Sequence, residues 1–165
     1  MNATYYITQL QLQPHPEGGF FRETYRSAGT IAPQCLPPNF NGERHYATAI
    51  YFMLQAGDFS AFHRIKSDEC WHFYEGESLL IHIIDKYGTY TRVQLGKNME
   101  QGDVYQFVVP AGCWFASELM YQVGFALVGC TVAPGFDFTD FELAKADILR
   151  GDYQQHASLI QRLCR

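Results

Sequence analysis

Between His45 and Val132 the chain breaks into eight short apolar or alternating runs. Turn residues separate most of them: Gly57-Asp58, Glu75-Gly76, Lys86-Tyr87-Gly88, Gly96, Gly102-Asp103 and Pro110-Ala111-Gly112. The runs are His45–Leu54, Phe59–Ile65, Cys70–Tyr74, Leu79–Asp85, Tyr90–Leu95, Tyr105–Val109, Cys113–Ser117 and Gln122–Val132. None has room for a long helix. Many short strands at close spacing form a sandwich or a closed barrel. Aromatic residues make up 16% of the chain, which suits strands and suits a cavity lined with rings.

The flanks read differently. Residues Asn2 to Gln11 predict a short helix. Pro14-His15-Pro16-Glu17-Gly18-Gly19 reads as a turn, because Pro fixes φ and Gly frees it. Phe20 to Arg26 reads as a strand, and Ala28 to Arg44, rich in Pro and Asn, as a free surface loop. Asp140 to Leu149 has helical spacing, with Thr139 or Asp140 as its cap and Gly151-Asp152 as its stop. Tyr153 to Leu163 predicts a second helix. The expectation is one all-β domain over residues 1–165, with a barrel core at about 19–138 and a helical segment at about 139–163.

Charge and cysteines narrow the partners. Formal net charge is −5 with no basic stripe, so nucleic acid is not expected. No apolar run spans a bilayer, no basic amphipathic helix appears, and the N-terminus lacks the pattern of a signal peptide. Cys35, Cys70, Cys113, Cys130 and Cys164 are odd in number, with no Cys-x-x-Cys pair. The reading is reduced, mostly buried thiols in a cytoplasmic protein.

Gly57, His63, Glu69 and Gly76 fall in the register of the first cupin motif, with Ile65 where that motif has a second His. Gly102 followed by Pro110-Ala111-Gly112 resembles the second motif, with Phe115 at its His position. Four longer stretches resemble a small cupin-like family of unassigned function. They are Pro14 to Arg26, Phe62 to Tyr74, Val109 to Trp114 and Val128 to Phe138. The resemblance implies a double-stranded β-helix, or jelly-roll, barrel with short terminal helices. It further implies an aromatic pocket for a small-molecule ligand and a homodimer. It implies no agreed activity, since fold alone does not supply one.

His63 and Glu69 are the candidate catalytic pair, a base and its orienting carboxylate. Candidate substrate-binding residues are Arg22, Glu23, Tyr25, Tyr51, His72, Trp114, Phe115 and Phe136. Arg22 is assigned to an anionic group, for which its forked donors suit it. Phe115 is expected to point inward. His72 lies three residues past Glu69, so a regular strand puts it on the opposite face and a bulge returns it. Strand alternation leaves the facing of Tyr51 open.

Three functions compete. The first is an isomerase or epimerase acting on a sugar-type or sugar-nucleotide-type ligand; deoxysugar epimerases that share the fold use an inward His and a carboxylate without metal. The second is a non-catalytic small-molecule binding protein. The third is a metal-dependent oxygenase or decarboxylase. No cofactor is expected, because Ile65 and Phe115 replace two of four usual ligands; if a divalent metal binds, its ligands are His63, Glu69 and His72.

Overall fold

Alternation along the chain becomes two facing sheets. The computed structural model describes residues 2–165. The strands are β1 (Gln13–Pro14), β2 (Phe20–Arg26), β3 (Thr30–Ile31), β4 (Arg44–His45), β5 (Thr48–Gln55), β6 (Phe59–Arg64) and β7 (Asp68–Gly76). They continue with β8 (Leu79–Ile84), β9 (Tyr90–Leu95), β10 (Gln106–Val109), β11 (Trp114–Leu119), β12 (Phe125–Ala133) and β13 (Glu142–Leu143). Helices α1 (Ala3–Gln9), α2 (Ala146–Asp152) and α3 (Ala157–Arg162) stand at the two ends of the sequence. One sheet runs β1-β2-β5-β12-β7-β10, and the other β13-β6-β11-β8-β9. Every pairing between neighbouring strands within them is antiparallel. This is the expected all-β jelly roll.

Period two decides what faces inward. Phe52, Leu54, Trp71, Phe73 and Val128 of one sheet meet Ile81, Ile83, Leu95, Phe115 and Leu119 in a common core. Trp71, Phe52 and Phe115 are almost wholly buried, and each such burial stabilises by roughly 2–3 kcal/mol. The outer face of the smaller sheet is covered instead. Phe62, Ile84, Trp114 and Ala116 pack there under Leu149, Ile160 and Leu163 of the C-terminal segment. Helix α1 covers Met53 and Leu127 on the outer face of the larger sheet.

The ends depart from expectation in detail. The helix expected over Asp140 to Leu149 begins only at Ala146 and runs through Gly151 to Asp152. Residues Phe138–Asp140 form a 3-10 turn, and Glu142–Leu143 pair with β6. Asp140 is therefore not a helix cap. It is buried in a doubly hydrogen-bonded ion pair, Arg44 Nε to Oδ2 at 2.6 Å and Nη2 to Oδ1 at 2.7 Å. Lys66 Nζ lies 3.1 Å from Asp140 Oδ1. Through this cluster the loop at Ala28 to Arg44 is tied down rather than free. Among the described residues all five cysteines are free thiols, and no helix is long and apolar enough to cross a membrane.

Candidate functional site

The turn before β2 delivers an acid into the barrel. Gly18 and Gly19 have φ of +112° and +72°, a region L side chains rarely enter. A Cβ at Gly18 would strike the Phe59 carbonyl, and one at Gly19 would crowd Leu54 and the Met53 carbonyl. Gly19 N–H donates to Asp58 Oδ2 at 2.9 Å, and Ala61 N–H donates to Glu17 O at 2.8 Å. The chain is thus stitched to β6, with the Glu17 side chain buried.

A bulge in β6 aims its partners. His63 pairs with Phe115, but Ser60 pairs with Ser117, so three steps along β6 oppose two along β11. Ser60 and His63 therefore reach the same side. Ser60 Oγ donates to Glu17 Oε1 at 2.8 Å. His63 Nε2 lies 3.2 Å from Glu17 Oε2. His63 Nδ1 lies 2.7 Å from the Ala61 carbonyl, which only accepts, so Nδ1 carries the hydrogen. His15 Nδ1 accepts from Glu17 N–H at 3.3 Å and stands 3.4 Å from Glu17 Oε2.

These contacts fix the protons. Burial pushes His63 down to about 3 and His15 down to about 4, so both rings are neutral at neutral pH. Two lone pairs then face Glu17 Oε2. Burial, and next the charge of Glu69, hold the Glu17 carboxyl well above the usual range. A protonated Glu17 resolves the geometry, donating from Oε2 to His63 Nε2.

The larger sheet supplies the second acid. Glu69 and Trp71 on β7 and Cys130 on β12 line the same cavity. Burial raises Glu69 to about 7, offset in part by the Cys130 thiol donating to it. Phe21, Phe52, Phe136, Phe138 and Phe141 complete the wall. Arg26 stands there too, both Nε and Nη2 donating to the Glu23 carboxylate at 3.0 and 2.6 Å. The cavity encloses about 80 Å³, room for roughly half a dozen waters.

Of the residues singled out from sequence, His63, Glu69, Glu23 and Phe136 line this cavity. Phe115 points inward but lies behind His63, ring centroids 4.1 Å apart. The other five lie elsewhere. Arg22 is exposed and donates to the Leu10 carbonyl at 3.1 Å, so it grips no ligand in the cavity. Tyr25 is exposed, because β2 bulges between Glu23 and Tyr25 and turns Arg26 inward in its place. Tyr51 alternates with the inward Ile50 and Phe52, and packs against Tyr74 on the outer face. His72 follows strand alternation outward, bonding Thr131 Oγ1 at 3.1 Å and Gln106 Nε2 at 2.7 Å. Trp114 faces the terminal helices under the Arg64 guanidinium. His63 and Glu69 are not a bonded dyad; the carboxyl partner of His63 is Glu17.

The missed residues are Glu17, His15, Arg26, Trp71, Cys130, Phe138 and Phe141. His15 and Glu17 carried a signal, polar side chains inside a Pro-Gly turn. That turn reads equally well as a solvated loop.

A cupin metal needs further donors at positions 65 and 115, where Ile65 and Phe115 stand. His72 is on the wrong face to replace them. The atoms of His15, Glu17 and His63 bond one another instead of converging on a common point. Among the described residues no group of three or more His, Cys, Asp or Glu is arranged to hold a metal ion. These side chains do not fit a resident divalent metal.

Known proteins agree with the fold. An uncharacterised protein of Saccharomyces cerevisiae is 30% identical over 160 residues, covering 86% of this chain and 74% of its own length. A structure from Shewanella oneidensis superposes with TM-score 0.89 at 43% identity, over 100% of this chain and 98% of that one. A hypothetical protein from Leishmania major gives 0.90 at 36%, over 99% of each chain. A Bacillus subtilis oxalate decarboxylase variant shares the fold alone, with TM-score 0.54 and 18% identity over 91% of this chain and 36% of that one. The sequence model of the family described as Cupin superfamily (DUF985) matches residues 4–144, and the chain belongs to that family.

Proposed function

We propose that the barrel is an isomerase- or epimerase-like enzyme that moves a proton on a small organic substrate. The observation that carries this reading is the His63–Glu17 contact at 3.2 Å on the wall of a cavity that Glu69 also lines. Glu17 and Glu69 sit on different walls, so a substrate between them meets an acid and a base. Glu69, partly ionised at neutral pH, takes a proton from an activated C–H. The Glu17 proton goes to the atom that gains the electron pair, leaving the Glu17 carboxylate. His63 Nε2 accepts from the resting Glu17 carboxyl and orients it, and solvent at the mouth restores both groups. Proton transfer of this kind contributes about 10²–10⁴-fold.

The interior has room for a small group only, and its one guanidinium is engaged by Glu23. That supports a small substrate or a sugar-sized fragment over a whole sugar nucleotide.

The test is solvent exchange. The protein is incubated in D2O with panels of sugars, amino sugars, amino acids and hydroxy acids, and mass spectrometry reads single-deuterium uptake. The expected result is uptake in one chemical class, reduced about 10²–10⁴-fold by His63→Ala and by Glu69→Gln in folded protein. Tight binding in that panel without any uptake supports the binding-protein reading, which the aromatic wall also favours.

A further inference from the structure

We propose that the cavity binds a small organic ammonium ion that also carries a hydrogen-bond acceptor. Three rings stand nearly at right angles along one wall. Phe136 and Phe138 have centroids 5.0 Å apart at 81°, Phe138 and Phe141 6.1 Å at 72°, and Phe136 and Phe141 6.3 Å at 67°. Such a corner presents ring faces from several directions, and ring faces attract cations.

The charges agree with the rings. Glu69 lines the cavity, is more than nine-tenths buried, and has the Cys130 thiol as its hydrogen-bond donor. Arg26 is held by both Glu23 oxygens and by the Phe136 carbonyl at 3.1 Å. His15 and His63 are neutral. An anion entering here finds no unpaired cation, whereas an ammonium finds a carboxylate without a partner of opposite charge. A buried carboxylate without a counter-ion is costly, and a cationic ligand removes that cost.

A second group points to a ligand. Trp71 lines the cavity and is 1% exposed, and its indole Nε1–H has no hydrogen-bond partner. Buried donors are rarely left unmade. A ligand oxygen completes it. The enclosed volume sets the size at about half a dozen heavy atoms.

This deepens the proton-transfer reading by naming the charge of its substrate, since an ammonium substituent acidifies the neighbouring C–H. It rests on that reading only in using the same cavity. The test reads binding, so a failure of turnover leaves its outcome intact.

The probes are ethanolamine, ethylene glycol and glycolate, close in size and differing in charge. Calorimetry at pH 8 is expected to give ethanolamine a Kd of about 1 mM or tighter, with the other two at least about tenfold weaker. The groups facing Glu69 are Glu17, Cys130, His15 and His63, with the Arg26–Glu23 pair at the same wall. Ethanolamine needs Glu69 ionised, so its affinity is expected to fall about tenfold from pH 8 to pH 6, with proton release. Glu69→Gln is expected to erase both the preference and the pH dependence. Phe138→Leu, at a half-exposed rim position, keeps the fold and is expected to weaken ethanolamine about fivefold while leaving ethylene glycol unchanged. Glycolate or ethylene glycol binding as tightly as ethanolamine overturns the proposal. So does the absence of ethanolamine binding at about 20 mM.

Discussion

Replacing Arg44 with Ala is expected to destabilise the protein by about 3 kcal/mol. Arg44 and Asp140 are both almost fully buried. The guanidinium makes two bonds to Asp140, two to the carbonyls of Asn41 and Glu43, and one to Thr139 Oγ1 at 3.1 Å. Removing it leaves a buried carboxylate with only Lys66 beside it and frees two backbone acceptors, the Asn41 and Glu43 carbonyls. Urea unfolding reads the loss, a midpoint shift of about 1.5 M for a slope near 2 kcal/mol/M. The effect reaches the cavity, because Asp140 lies between Phe138 and Phe141. The double variant Arg44→Met with Asp140→Leu is expected to recover a large part of the loss, since it removes both charges together. A single variant that unfolds at the wild-type midpoint contradicts the role given to this pair.

The second large effect is a stabilisation at alkaline pH. Glu69→Gln is expected to be about 3 kcal/mol more stable than wild type at pH 8 to 9, and nearly equal at about pH 4. The sign follows from proton counts. Glu69 in the folded protein holds its proton to about pH 7, while the unfolded chain loses it near 4.5. Between those values the folded state binds more protons, so this group makes stability fall as pH rises. Glu17, also raised by burial, acts in the same direction. His63 and His15 act oppositely: the unfolded chain takes up protons below 6.5, which the folded rings refuse down to about 3 and about 4. Stability from these two therefore rises with pH up to 6.5. Between about pH 4.5 and 6.5 the carboxyls and the imidazoles oppose one another, and stability falls as pH rises past 6.5 or drops below 4.5. Thermal melts across pH 4 to 9 check this, and a wild-type optimum near pH 8 would contradict it.

Much of the barrel was legible because its strands obey simple rules. Phe20–Arg26 was read as a strand from alternation and is one. The inward pointing of Phe115 followed from motif register. The site was less legible, for two physical reasons. Bulges in β2 and β6 change which residues face inward without any mark in the local pattern. They exchange Tyr25 for Arg26 and bring Ser60 beside His63. The turn that carries His15 and Glu17 is distant in sequence from the residues it meets. Its polar side chains look like loop chemistry until the glycines fold them against β6. Terminal helix spacing misled in the same way, since Asp140 serves a long-range ion pair instead of a local cap.

An NMR titration of the Glu17 and Glu69 carboxyl carbons with the His63 ring nitrogens tests the buried proton most directly. Glu17 is expected to titrate well above the usual carboxylate range, and Glu69 near 7. His63 is expected to remain the neutral Nδ1–H form down to about pH 4. Glu17 titrating near 4.5, with His63 gaining its second proton near 6.5, would leave Glu17 ionised beside a mostly neutral His63 at neutral pH and contradict the shared proton on which the proposed chemistry depends.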